Sequence, residues 1–142
     1  VYITKSDQLT MTLRMLKRLK EVKTCEFELV IVETITKHLE HLADVYIHEP
    51  VRPISRSTSA INKGFNAANG DFVILLSNDV FVQEGWLEAM EWCFKMKPDC
   101  GAATVGTTEH NNALEYAVYE YNYWPVVMLS QKTLAKVGLM DE

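Results

Sequence analysis

Four stretches of this chain place chemistry-bearing side chains where they could act. In the first, the apolar run from Phe72 to Leu76 breaks abruptly into Ser77, Asn78 and Asp79. A carboxylate where a buried strand emerges, beside a hydroxyl and an amide, makes a hard-oxygen site suited to Mg²⁺ or Mn²⁺. The same Asn-Asp pair also serves simply to turn a chain. In the second, Glu33 follows the apolar run Phe27 to Val32. There a carboxylate can accept hydrogen bonds from a ribose or a base edge, or stand as a solvated strand end. In the third, Arg56 opens a helical stretch with Arg52 four residues before it, a phosphate-holding arrangement or an ordinary surface arginine. In the fourth, His38 and His41 flank Glu40 at zinc-ligand spacing, but no third or fourth ligand adjoins them. His48 and His110 are isolated. The group Tyr116, Tyr119, Tyr121, Tyr123 and Trp124 could stack on a sugar or fill a core. No G-x-G-x-x-G, P-loop or nucleophile-elbow pattern occurs.

The elements that must position these groups alternate. Residues 1–4 read as a strand. Ser6 and Asp7 are N-cap candidates for a helix from Gln8 to Val22 with a stripe of Leu9, Leu13, Leu16 and Leu19. Arg14, Lys17, Arg18 and Lys20 then form a solvated face. Strands at Phe27–Val32 and Asp44–His48 flank a short helix, Ile35–Leu42, and Pro50 and Pro53 impose an extended connection. A helix over Ser57–Ala68 is closed by Asn69-Gly70, with the left-handed residue supplied there. The strand Phe72–Leu76 reads as buried on both faces. A helix over Gly85–Lys97 buries Trp86, Met90, Cys93 and Phe94. Then come a strand at Gly101–Val105, a polar loop at Gly106–Asn112, a strand at Val126–Leu129, and a helix at Gln131–Val137 ended by Gly138. Such alternation predicts an α/β domain with a mainly parallel sheet flanked by helices. An aspartate at the carboxyl end of a strand then stands where open α/β sheets bind ligands.

The totals narrow the partners. A chain of 142 residues is sized for one domain. A net charge of −5 argues against a broad nucleic-acid or anionic-membrane surface, and no apolar segment reaches membrane-span length. Residues 1–63 carry ten Lys/Arg against eight Asp/Glu, and residues 64–142 four against eleven. That division suits a small anionic ligand better than a polymer. Cys25, Cys93 and Cys100 cannot all pair, and they read as buried free thiols in a reducing cytoplasm. Val1 opens directly in an apolar strand, and the chain stops just past Gly138, so both ends read as cut.

Taken in order, these features resemble family-2 glycosyltransferases, the inverting nucleotide-sugar-dependent enzymes of the GT-A fold. The resemblance rests on Asn62-Lys63-Gly64, Gly70-Asp71, the strand to Leu76, Ser77-Asn78-Asp79 and Gly85-Trp86-Leu87. Pro98-Asp99-Cys100-Gly101 and the tail from Val126 to Glu142, with its G-x-D-E turn, are similar to the family as well. Each motif is weak alone, and their order and spacing make the match.

The resemblance implies a three-layer GT-A-like sandwich and a single nucleotide-sugar-binding domain over residues 1–142. It implies a donor-binding set of Thr4, Glu33, Arg56, Asn62, Ser77, Asn78 and Asp79. Asp79 would be the carboxylate that holds a divalent cation, Mn²⁺ or Mg²⁺, on a nucleotide diphosphate. Transfer would then proceed with inversion to an acceptor hydroxyl of a glycan, lipid or protein. Glu33-Thr34-Ile35-Thr36-Lys37 replaces the family's Asp-x-x-Ser-x-Asp segment, and Ser77 stands where the first acid of its D-x-D motif often is. The catalytic base of the family is expected beyond Glu142, and neither Asp141 nor Glu142 is assigned that role. Two competing readings are a noncatalytic α/β donor-binding or interaction module without that base, and a nucleotidyltransferase, which lacks its Gly-rich basic loop here.

Overall fold

The computed structural model of the chain describes residues 2–3, 8–34, 37–50, 57–104 and 126–141. In chain order the elements are β1 (Tyr2–Ile3), α1 (Leu9–Glu21), β2 (Val30–Glu33), β3 (Val45–His48) and α2 (Ser57–Ala67). They continue with β4 (Phe72–Leu76), α3 (Trp86–Met96), β5 (Ala102–Thr104), β6 (Val126–Ser130) and α4 (Gln131–Val137).

Parallel pairing joins β1 to β2 and β2 to β3, with Tyr2 opposite Val32 and Val32 opposite Ile47. The other three strands are held through β6, which runs antiparallel between β4 and β5. The periodicity of Val126–Ser130 marks a strand but carries no direction, so this antiparallel seat emerges only from the fold. One apolar cluster crosses both sheets, drawing Met15, Ile31, Leu76, Met90, Val126 and Met128 into a common core. That continuity makes the two sheets one α/β unit.

Local polar chemistry explains several departures from the sequence expectations. On α1 the inward stripe is Thr12, Met15, Leu16 and Leu19, while Leu13 faces solvent. Thr12 turns inward because its hydroxyl is satisfied there, donating to the Gln8 carbonyl at 3.0 Å and accepting from Asn78 Nδ2 at 3.2 Å. Gln8 takes the N-cap position without a side-chain cap bond, and the candidates Ser6 and Asp7 lie outside the described residues. The basic face is not wholly solvated. Arg18 is half-buried and donates from Nε to the Val82 carbonyl at 3.0 Å, and the Arg14 guanidinium stands 5.5 Å from the Phe81 ring centre.

The second strand begins at Val30 rather than Phe27, because Leu29 N–H is taken by the Asp44 carboxylate at 2.7 Å. The helix expected at Ile35–Leu42 reduces, in its described part, to a single 3₁₀ turn at Glu40–Leu42, for a reason that lies in Glu33. Gly70 does not adopt positive φ. The end of α2 is closed instead by Asn69, whose N–H and Nδ2 both donate to the Glu28 carboxylate at 3.0 Å and whose Nδ2 also reaches the Ala67 carbonyl. On β4, Phe72 is exposed and packs its ring, tilted by 52°, against Phe94, so this strand is only partly buried on both faces. Cys25 is exposed and Cys93 and Cys100 are half-buried free thiols, which corrects the buried reading of all three.

Candidate functional site

Asp79 stands at the carboxyl end of β4 on a β-turn closed by Val80 N–H donating to the Ser77 carbonyl at 3.3 Å. Asn78 and Asp79 are the central residues, so the pair does turn the chain, and the two side chains then take opposite roles. Asn78 is 8% exposed and points inward, its Nδ2 donating to Gln8 Oε1 at 3.1 Å and Thr12 Oγ1 at 3.2 Å. Asp79 is exposed, and its carboxylate takes no hydrogen bond or ion pair among the described residues. Ser77 is half-buried at the strand end. Further along, the Arg18 bond to Val82 fastens the same segment to α1 again. The acidic turn is therefore held by α1 at two points, and one carboxylate is left facing out. Gly85, at φ 81°, ends the segment. Nothing lies within 4 Å of where its Cβ would stand, so the backbone angle, not space, selects glycine before Trp86.

Glu33 is neither a solvated strand end nor an open carboxylate. It is 1% exposed. Its Oε2 accepts from His38 N–H at 3.0 Å, Leu39 N–H at 3.1 Å and the Tyr46 hydroxyl at 2.9 Å, and Oε1 accepts from His38 N–H at 3.2 Å. A buried carboxylate needs this many donors to offset its lost hydration. Capturing the N–H groups of His38 and Leu39 removes them from any helical ladder, which is why the expected helix does not form there. Burial first, and then the Glu33 carboxylate, push the Tyr46 hydroxyl up to about 12.

Asn62 is also inside the protein, at 4% exposed. Its Nδ2 donates to the Met140 carbonyl at 2.8 Å, and its Oδ1 accepts from Met140 N–H at 3.0 Å. Gly64, two residues on, faces β2, where a Cβ would meet Val32 Cγ2 at 3.4 Å, an ordinary contact, so space alone does not select glycine there. Thr4, Arg52 and Arg56 lie outside the described residues, as do the polar loop Gly106–Asn112 and the aromatic stretch Tyr116–Trp124.

Of the four predicted side chains whose surroundings are now explicit, three bind backbone or core groups and only Asp79 is presented outward. Among the described residues no three His, Cys, Asp or Glu side chains gather into a metal-holding group, and His38 and His41 are not exceptions. The donor set still fits a hard cation that arrives with its ligand. Mg²⁺ and its relatives are held by one or two carboxylates together with substrate phosphates and water, and Asp79 offers one free carboxylate. A cavity of about 420 Å³ lies elsewhere, lined by Val30 and Val32 of β2, Val73 and Leu75 of β4, and Gly64 and Phe65 of α2. It belongs to the core and not to the acidic turn.

Sequence reasoning missed the supporting residues Gln8, Thr12, Tyr46 and Met140. Thr12 alone carried a signal, as a polar residue at the helical spacing of Met15, Leu16 and Leu19.

A parallel α/β half, an antiparallel return through β6 and an acidic turn at the strand ends agree with the GT-A-type nucleotide-sugar transferase fold that the family match implies. The sequence model described as Glycosyl transferase family 2 matches residues 7–117, and the chain belongs to that family. The resemblance of the tail, Val126 to Glu142, falls outside the matched residues. No curated protein and no solved structure matches the chain. Among the described residues no helix is long and apolar enough to cross a membrane.

Proposed function

We propose that this domain binds a nucleotide-diphosphate sugar at the acidic turn and supports metal-assisted transfer of the sugar, with inversion, to an acceptor hydroxyl. The observation that carries the reading is Asp79, an exposed and unengaged carboxylate on a turn that Asn78 and Val82 fasten to α1. A rigid turn offering one carboxylate is suited to a cation shared with a diphosphate. When bound, that cation would offset the charge developing on the leaving diphosphate. Asp79 supplies the protein's ligand to it. Asn78 keeps Asp79 aimed outward, and Ser77 stands beside it at the strand end. Glu33 contributes through the 37–39 segment that it holds, while Thr4 and Arg56 remain donor-side candidates by their match to the family. The base that would deprotonate the acceptor is assigned to no residue of this chain. Three unpaired thiols, one exposed, favour a reducing, cytoplasmic setting.

The test is thermal unfolding with UDP, GDP or dTDP, each with and without Mn²⁺. One nucleotide with Mn²⁺ raises the melting temperature, Mn²⁺ alone leaves it unchanged, and Asp79→Ala removes the rise. A ligand at about 100 times its Kd adds roughly 2.7 kcal/mol, a shift of several degrees. No shift with any of the three would sink the donor-binding claim.

A further inference from the structure

The two sheets share a core, but no hydrogen-bonded ladder joins them. β4 pairs with β6 along one edge, and among the described residues no strand pairs with its other edge. Gln131 N–H bonds the Asp71 carbonyl at 2.9 Å, which sets the alternation of that ladder. Asp71, Val73 and Leu75 turn their backbone groups to β6, while Phe72, Ile74 and Leu76 turn theirs away from it. An open edge of this kind is a template for another strand.

That edge looks across the cavity of about 420 Å³ to β2, whose Val30 and Val32 form the facing wall. Asn69, three residues before β4, bonds Glu28, two residues before β2, so the two strands start side by side. Val32 and Leu76, near their ends, line the same cavity, so the walls run in one direction. β1 meets only Val32 and Glu33, at the far end of β2. Nearer the strand starts, Leu29, Ile61, Ile74 and Leu75 line the cavity and stay half-buried. A strand here would stand about 4.8 Å from each wall, and the space suits roughly three residues of extended chain at about 3.3 by 4.8 by 10 Å each. The lining is also one-signed: Glu26, Glu28, Asp71 and Glu91 contribute to it, and among the described residues no Lys or Arg does. Asn69 engages Glu28, and Lys23 and Lys95 pair with Glu26 and Glu91. The Asp71 carboxylate, at the start of β4, is exposed and has no partner among the described residues.

We propose that the interval between β2 and β4 is a strand-acceptor site. It takes an extended apolar segment of another polypeptide, led in by a lysine or arginine that pairs with Asp71, as a parallel strand. Main-chain bonds to Phe72, Ile74 and Leu76 supply affinity, and the apolar lining selects the side chains. An alkyl chain would fill the same volume but leave those backbone groups unpaired. A second copy of this chain would bring a net charge of −5 to an acidic entry. Asp79 lines no part of this cavity, and the test uses no nucleotide.

The probe is the capped peptide acetyl-Lys-Lys-Val-Ile-Val-amide, added to the intact chain and followed by amide exchange. At saturation, exchange at Ile74 and Leu76 should slow about tenfold or more, and less at Val73 and Leu75, whose N–H groups already bond β6. Proline in place of the peptide's isoleucine removes a main-chain donor and should weaken binding about tenfold. Asp71→Lys changes an exposed side chain and should weaken binding about fivefold, a difference that high salt removes. No binding of the peptide at about 1 mM would overturn the proposal. So would equally tight binding of octylammonium with exchange at Ile74 unchanged, which makes the cavity a small-molecule pocket. A dimer that forms in sedimentation without peptide and shields Ile74 would give the edge to a second copy, and the proposal would fall.

Discussion

Replacing Glu33 with Gln separates a residue that touches the donor from one that builds the loop beside it. The carboxylate is 1% exposed and takes two backbone N–H groups and a phenol at 2.9–3.2 Å. Hydrogen bonds to a charged acceptor are worth about 1.5–3 kcal/mol and neutral ones about 0.5–1.5 kcal/mol, so three bonds lose roughly 3 kcal/mol when the charge goes. Relief of the buried charge returns part of this, leaving a loss of about 2 kcal/mol. For a chain of this size that lowers the melting temperature by about 4–8 °C. Differential scanning calorimetry measures it, and amide exchange of His38 and Leu39 should accelerate in step. Nucleotide affinity should fall only as the 37–39 segment loosens. The opposite result, weaker nucleotide binding with an unchanged melting temperature and unchanged exchange at His38 and Leu39, would refute the reasoning and return Glu33 to the donor.

Tyr46 gives a pH test of the same cluster. Its folded hydroxyl titrates near 12 instead of 10, so between those values the folded state holds a proton that the unfolded state has lost. The stabilisation is fully present below pH 10 and disappears as pH rises toward 12. Tyr46→Phe should begin about 1–2 kcal/mol less stable at neutral pH and show a shallower decline across pH 10–12 in denaturant melts; parallel curves would dismiss the link to Glu33. Thr12→Val keeps the shape of a fully buried residue and removes the hydroxyl that accepts from Asn78. It should cost about 1–2 kcal/mol and weaken the Mn²⁺-nucleotide thermal shift without touching the ligand. A full shift in a destabilised Thr12→Val chain would show that α1 does not set the acidic turn.

The alternation of apolar runs and turn formers made the element order legible, and β4, α4 and the Gly138 stop were readable to the residue. What stayed hidden depended on long-range polar partners. Leu13 has the spacing of a core residue, yet Thr12 takes the inward place because Asn78 arrives from a turn 66 positions away. The residues around His38 have helical spacing, yet a carboxylate five residues back takes their donors. Gly70 has the type of a left-handed cap, yet Asn69 closes α2 onto Glu28, 41 positions earlier. Local patterns fix which face a segment would prefer alone. Such side-chain bonds are worth enough to override that preference, at about 1.5–3 kcal/mol each when the acceptor is charged; no local window contains the Asn78 and Glu28 partners, and the Glu33 carboxylate, though only five residues away, has no periodicity that marks it as a backbone acceptor.

The same contrast bears on how the family's motifs should be read. Asn62, Asn78 and Glu33 stand at motif positions, and all three are buried and spend their side chains on the chain itself. On the proposed donor-binding reading, their effect on a ligand would pass through what they hold: the turn carrying Asp79, the segment at His38 and Leu39, and the backbone of Met140. This arrangement explains why an acidic motif reduced to one carboxylate can keep its geometry. On the same reading, Ser77 in place of an acid would remove a ligand to the cation, but it leaves intact the Asn78 bonds beside Asp79. The expected cost of that reduction is in affinity for the cation, which the nucleotide's phosphates must make up, and not in the placement of the site.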